Sequence, residues 1–339
     1  MADREGLYGE IDAGLAAGAS DWHFQAGEPV WLRIGGRMRA LDRPPCSEER
    51  LQALTAAALG ASGPVSPGTD GHFTRGGERF RLHTYSAGAV PCLNLRHIPG
   101  RIPALASLGA PRAFTDAALA CRRGLILVTG AIGTGKSTTL AAAIDHLNGE
   151  REEMILTFED PIEFRHSSRR CLVRQLEKGR DFADFAGALH GALRSDPRIL
   201  LVGEMRDAET ISAALTAAET GLLVLGTLHC GSAPEAISRI VGAHPADRAP
   251  EIRSRLAQSL VAVLAQQLVR SAGGRRLAAF ELLLATPGVR HLIEDPQPRQ
   301  HLLANEIATG GRHGMVSMEQ SLEDLRRRRL LERGEGARP

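Results

Sequence analysis

Two hydrophobic patterns meet near residue 100. Before it, Trp31-Leu32-Arg33-Ile34 and Arg37-Met38-Arg39-Ala40-Leu41 flank Gly35-Gly36. A second glycine pair, Gly76-Gly77, stands between His72-Phe73-Thr74 and Arg79-Phe80-Arg81-Leu82-His83-Thr84-Tyr85. Short runs around such pairs predict two β-hairpins. The Ala- and Leu-rich stretch from Glu48 to Leu59 predicts a helix between them. Further on, Leu125-Ile126-Leu127-Val128, Met154-Ile155-Leu156-Thr157-Phe158, Ile199-Leu200-Leu201-Val202 and Leu222-Leu223-Val224-Leu225 are continuously apolar, the mark of parallel strands buried on both faces. Between them, Asp181 is expected to cap a helix carrying Phe182, Phe185, Leu189 and Leu193 on one face. Another helix is expected from Ala208 to Thr220, stopped by Gly221. Breakers crowd Ile98-Pro99-Gly100-Arg101-Ile102-Pro103. The expected organisation is a small α+β domain over residues 1–98, a linker over 99–111 and an α/β domain over 112–339.

A chain of 339 residues with 43% hydrophobic content suffices for two such cores. Its 41 basic and 39 acidic residues nearly cancel, and only 4% are aromatic, so no nucleic-acid partner is expected. Cys46, Cys92, Cys121, Cys171 and Cys230 are scattered, which argues against a disulfide framework and a zinc knuckle and suits a reducing cytoplasm. No apolar run approaches the roughly 20 residues that span a bilayer. The start Met1-Ala2-Asp3-Arg4-Glu5 lacks a signal-peptide core. Membrane contact is therefore expected only through a partner. Lys136 and Lys178 are the two lysines among the basic residues, so arginine fills nearly every other basic position.

Lys136 falls within Gly130-Ala131-Ile132-Gly133-Thr134-Gly135-Lys136-Ser137, which matches G-x-x-x-x-G-K-[ST], follows an expected strand and opens a helix expected from Thr138 to Leu147. The glycines let successive N–H groups face a phosphate at a helix N-terminus. ATP is the expected ligand, with Lys136 on its β and γ phosphates and Ser137 on Mg²⁺.

Glu204, just past the strand Ile199-Leu200-Leu201-Val202, stands where α/β sheets bind ligands. It could orient or deprotonate an attacking water, or be a solvated loop carboxylate. Glu159, Asp160 and Glu163 in Phe158-Glu159-Asp160-Pro161-Ile162-Glu163 could steer a metal or water, or cap a helix. His229, in Gly226-Thr227-Leu228-His229, could sense the γ-phosphate or serve structure alone.

Together, the phosphate loop, the 158–163 segment, Leu201-Val202-Gly203-Glu204-Met205-Arg206-Asp207-Ala208-Glu209-Thr210 and Gly226-Thr227-Leu228-His229 resemble the secretion ATPases of type II secretion and type IV pili. Within that superfamily the chain is most similar to PilT-like retraction ATPases, from Gly18-Ala19-Ser20-Asp21 to about Leu331. The resemblance implies a PAS-like N-terminal domain, a RecA-like ATPase domain and a homohexameric ring with nucleotide held between the domains. It implies Glu204 as catalytic base, Glu159 and Glu163 in an acidic box, and His229 in a histidine box. It also implies arginines from the N-terminal domain closing on phosphate, for which Arg81 and Arg96 stand at suitable positions; Arg79, Arg194 and Arg206 are equally basic. One position and one segment, in which only Arg290 and Leu292 persist, depart from the pattern. Leu222 follows Thr220-Gly221 where the family carries a histidine, and Gly288-Val289-Arg290-His291-Leu292 replaces A-I-R-N-L.

The implied function is an ATP-driven motor for pilus retraction in twitching motility, acting on a platform protein at the inner membrane from the cytoplasm. The alternatives are a divergent paralogue that binds ATP and regulates other pilus ATPases, and a RecA-type nucleic-acid motor, since the fold alone does not fix the function. No four-cysteine zinc insertion is present, which argues against the assembly and secretion ATPases.

Overall fold

The computed structural model describes residues 8–98, 100–272, 276–297 and 300–332. Pro99 of the expected linker and the start Met1-Ala2-Asp3-Arg4-Glu5 lie outside the described residues. The chain divides into two compact units, Met1–Arg101 and Ile102–Pro339.

The first unit is an antiparallel sheet with two helices, α1 (Gly9–Ala16) and α2 (Glu48–Leu59). Its strands are β1 (Ala19–Gln25), β2 (Trp31–Ile34), β3 (Arg37–Ala40), β4 (Asp70–Arg75), β5 (Glu78–Ala87) and β6 (Val90–Ile98), in the order β3-β2-β1-β6-β5-β4. Both glycine pairs sit at hairpin turns with positive φ in each glycine, the conformation that favours glycine over residues with a Cβ. Helix α2 begins at Ser47, whose side chain accepts from Arg50 N, and ends at Gly60 in the left-handed conformation. Leu32, Trp22, Leu95 and Leu82 align across four strands and are almost fully buried. Trp22 Nε1 donates to Glu10 O at 3.0 Å. A Cβ on Gly14 would lie 2.2 Å from that indole nitrogen, so glycine is what lets α1 lie against the tryptophan.

The second unit is a seven-stranded sheet in the order β13-β12-β7-β11-β10-β8-β9. Its strands are β7 (Gly124–Thr129), β8 (Met154–Glu159), β9 (Leu172–Glu177), β10 (Ile199–Val202), β11 (Leu223–Leu228), β12 (Leu260–Arg270) and β13 (Arg276–Leu284). All pairings are parallel except β12 with β13. Helices α3 (Arg112–Ala120), α4 (Lys136–Glu150), α5 (Phe185–Ala192), α6 (Ala208–Glu219), α7 (Ala233–Gly242), α8 (Ala249–Ser259), α9 (Pro287–Glu294), α10 (Gln300–Thr309) and α11 (Met318–Arg327) accompany it. The central strands β7, β10 and β11 are buried at every position, as their continuous apolar runs require. Leu105, in a 3₁₀ turn at Leu105–Leu108, packs into this unit's core.

Three local expectations are corrected. Helix α5 starts at Phe185, with Asp184 as its N-cap accepting from Gly187 N at 2.7 Å. Asp181 instead accepts from Glu177 N at 2.8 Å and pairs with Arg180, closing a turn. Leu193 leaves the helix for a 3₁₀ turn and is 39% exposed, so it is not on the buried face of Phe185 and Leu189. Helix α4 begins at Lys136, two residues before Thr138, because Gly135 is its left-handed N-cap.

Candidate active site

In a parallel sheet the loops after the strands emerge along one edge. The order β7-β11-β10-β8 therefore brings the loop after β7, His229 after β11, Glu204 after β10 and Glu159 at the end of β8 to one side.

The phosphate loop leaves β7 at Gly130 (φ 152°) and turns through Gly133 (φ 78°) and Gly135 (φ 87°). A Cβ on Gly130 would stand 2.4 Å from Gln266 O, so the backbone there admits glycine alone. Lys136 is 8% exposed. Its three Nζ protons are directed at Gly130 O (2.8 Å), Ala131 O (2.9 Å) and His229 Nδ1 (3.3 Å). Burial lowers its pKa, while Glu204 and Glu163 pull the other way. Ser137 is exposed on the first turn of α4, Thr138 is half-buried, and Ile132 stands out at 85% exposure. Glycines in these conformations, a helix N-terminus and one lysine fit a chain of phosphates. The exposed Ser137 hydroxyl fits a divalent cation beside them.

Glu204 is stitched in from both sides. Gly203 N donates to Phe158 O (2.7 Å) on β8, and Met205 N donates to Thr227 O (3.0 Å) on β11. A Cβ on Gly203 would meet Phe158 O at 3.0 Å, which explains the glycine before the glutamate. The Glu204 carboxylate is 18% exposed; its Oε1 lies 2.9 Å from His229 Nε2 and against Arg206 Nε. Neither contact is a well-directed hydrogen bond, so that buried oxygen is held chiefly by the Arg206 charge.

His229 thus sits between an ammonium and a carboxylate. With Lys136 donating to Nδ1, the ring is neutral and carries its proton on Nε2, towards Glu204. Burial and the Lys136 charge lower its pKa, against the pull of Glu204. Glu159 Oε1 accepts from Thr157 Oγ1 (2.7 Å) and Gln175 Nε2 (3.0 Å). Its pKa is raised, chiefly by burial, with those two bonds opposing and Glu163 adding to it. Gln175 also donates to Phe164 O and accepts from His166 N, both at 2.8 Å, which ties the segment around Glu163 to β9.

Arg81 and Arg96 belong to the other unit and face each other across β5 and β6. Arg96 Nε donates to Asp21 Oδ1 at 2.8 Å, and Arg33 lies 3.5 Å from the same carboxylate. Burial would raise the Asp21 pKa, but the Ser20 hydroxyl and the two guanidiniums hold it below the ordinary value. Arg81 lies 3.8 Å from Asp70 and is half-exposed.

One departure from the family pattern, Leu222, has a local explanation, and in the other segment the shared Arg290 has a structural task. Leu222 is 7% exposed and packs into the apolar core. Arg290 donates to Gln258 O (3.1 Å) and Leu260 O (2.9 Å) and contacts Ala257 O, filling the carbonyls left open at the end of α8. The sequence reading missed Gln266, whose amide touches the phosphate loop; a glutamine pair inside the apolar run of β12 was the signal.

The family described as Type II/IV secretion system protein matches residues 79–326. The type IV pilus retractation ATPase PilT of Pseudomonas aeruginosa is 43% identical, over 93% of this chain and 92% of its own length. A twitching motility protein of Neisseria gonorrhoeae is 40% identical, over 92% and 84%. The crystal structure of the pilus retraction motor PilT with bound ADP superposes with a TM-score of 0.82 at 36% identity, covering 96% of this chain and 94% of that one. With a phosphate loop, a sheet-edge glutamate and likeness along nearly its whole length, the chain belongs to the type II/IV secretion system protein family, as a PilT-like ATPase.

Proposed function

We propose that this chain is the ATP-hydrolysing motor of type IV pilus retraction, working as a homohexamer on a platform protein at the cytoplasmic face of the inner membrane. The carrying observation is the line Lys136–His229–Glu204, joined by contacts of 3.3 and 2.9 Å. It supports reading Lys136 as a γ-phosphate ligand and Glu204 as a base on either side of one imidazole. No helix among the described residues is long and apolar enough to cross a membrane, which fits attachment through a partner.

On ATP binding, Lys136 Nζ exchanges the carbonyls of Gly130 and Ala131 for β and γ phosphate oxygens, and the loop N–H groups from Gly133 to Thr138 take up the rest. A Mg²⁺ held by Ser137 would neutralise phosphate charge. Glu204 takes a proton from water as its oxygen bonds to the γ-phosphorus and the bond to the β-phosphate oxygen breaks. His229 keeps the Glu204 carboxylate facing Lys136. Glu159 and Glu163 would hold water and metal beside it, and Arg81 and Arg96 are the arginines that the family resemblance implies for the phosphate charge.

Leu222 favours the divergent regulatory paralogue as a second reading. Because Leu222 lies in the core while His229 still bridges Lys136 and Glu204, the motor is preferred. The test is steady-state ATPase of purified protein with light scattering in the presence and absence of ATP, plus expression in Pseudomonas aeruginosa lacking its PilT. A hexameric ring with turnover and restored twitching is expected. A ring that binds ATP without turnover would transfer the assignment to the regulatory paralogue.

A further inference from the structure

Gln266 is a polar side chain at 5% exposure within a strand whose Val263, Leu264 and Ala265 are fully buried. Both ends of its amide are committed to the phosphate loop and its helix. Nε2 donates to Thr134 O at 2.7 Å, and Oε1 accepts from Thr139 Oγ1 at 2.6 Å. The same residue borders the loop's two closest glycine approaches, Gly130 against Gln266 O and Gly135 against Gln266 Nε2 at 3.0 Å from a built Cβ.

A phosphate nest needs its N–H groups turned inward, and therefore its carbonyls turned outward and satisfied. Gly130 O and Ala131 O accept from Lys136, Gly135 O from Thr139 N at 3.0 Å, and Thr134 O from Gln266. The Lys136 bonds are lost when Lys136 turns to phosphate; the Gln266 bond is compatible with both states.

We propose that Gln266 is a positioning residue that presets the phosphate loop for nucleotide, so that nucleotide affinity depends on an amide donor at this place in β12. The proposal rests on reading the loop as the ATP site. The chemistry is specific to an amide. A glutamate here could still accept from Thr139, but its second carboxylate oxygen would face Thr134 O. Once protonated it could donate again.

The test uses the full chain and a fluorescent ADP analogue, comparing parent, Gln266→Glu, Thr139→Val and Lys136→Ala at about pH 8 and about pH 5.5, where a buried glutamate regains its proton. Relative to the parent at the same pH, Gln266→Glu is expected to bind roughly tenfold more weakly at the higher pH and within about threefold at the lower. A purely structural role would shift the melting temperature without this pH-dependent recovery. A Gln266→Glu to parent ratio near one, or one that does not change with pH, overturns the proposal while leaving the ATP site intact if Lys136→Ala abolishes binding. Normal binding by Lys136→Ala removes the site and the proposal together. Should Gln266→Glu fail to fold, Thr139→Val decides: weakening of about threefold or more is expected, and an unchanged dissociation constant overturns the proposal.

Discussion

Replacing Glu204 by glutamine isolates the proposed chemical step. The glutamine amide oxygen can take the same place, 2.9 Å from His229 Nε2, so the imidazole and its 3.3 Å contact to Lys136 are retained. The Gly203 and Met205 backbone bonds that hold the loop do not involve the side chain. What disappears is the charge and the ability to take a proton from water. Loss of a general base lowers turnover by about 10²- to 10⁴-fold, or roughly 3–5 kcal/mol of barrier. ATP affinity, set by Lys136 and the loop N–H groups, is expected to stay within about threefold. Phosphate release at saturating ATP, beside equilibrium binding of a fluorescent ATP analogue, measures both. Turnover within about threefold of the parent would remove Glu204 as the base; lost turnover together with lost binding would instead make it a structural support of the loop.

Three further outcomes follow from the geometry. Gly130→Ala sets a Cβ 2.4 Å from the Gln266 carbonyl at φ 152°; it should cost about 1–3 kcal/mol and weaken ADP binding, seen by thermal melting and titration. Arg290→Ala uncovers the carbonyls at the end of α8 and should cost about 2 kcal/mol, several degrees in Tm, with ADP affinity unchanged. Glu159→Gln keeps both acceptor bonds and removes a buried charge. Because the folded Glu159 pKa is raised above its ordinary 4.5, the folded parent binds the extra proton more tightly and loses stability as pH rises through that window. The variant should therefore melt higher than the parent at neutral pH, with the difference vanishing below about pH 4, while its turnover falls.

The parts of the fold legible in the sequence follow local rules. Helix α2 spans Glu48–Leu59 as expected, and β10 spans Ile199–Val202, because a capping serine, a closing glycine and an all-apolar run each encode their own structure. The start of α5 was missed because Asp181 and Asp184 are both competent caps in Asp181-Phe182-Ala183-Asp184; the choice is made by the bond from Glu177 N to Asp181, outside any helix. The site divides in the same way. The phosphate loop is contiguous and was readable. The junction of Lys136, His229 and Glu204 depends on strand order, and the contact of Gln266 with Thr134 spans 132 positions of sequence, beyond the reach of spacing.

The scarcity of lysine makes this protein its own reporter. Of its two lysines, Lys178 is 40% exposed beside Asp160, whereas Lys136 is buried and bonded to the loop that surrounds it. Amine-directed acylation read by mass spectrometry would thus yield two internal signals, one from an exposed lysine and one tied to whether the phosphate loop is empty, closed on nucleotide or caught during exchange. Successive stages of the motor's cycle could be followed in the unlabelled, unsubstituted chain.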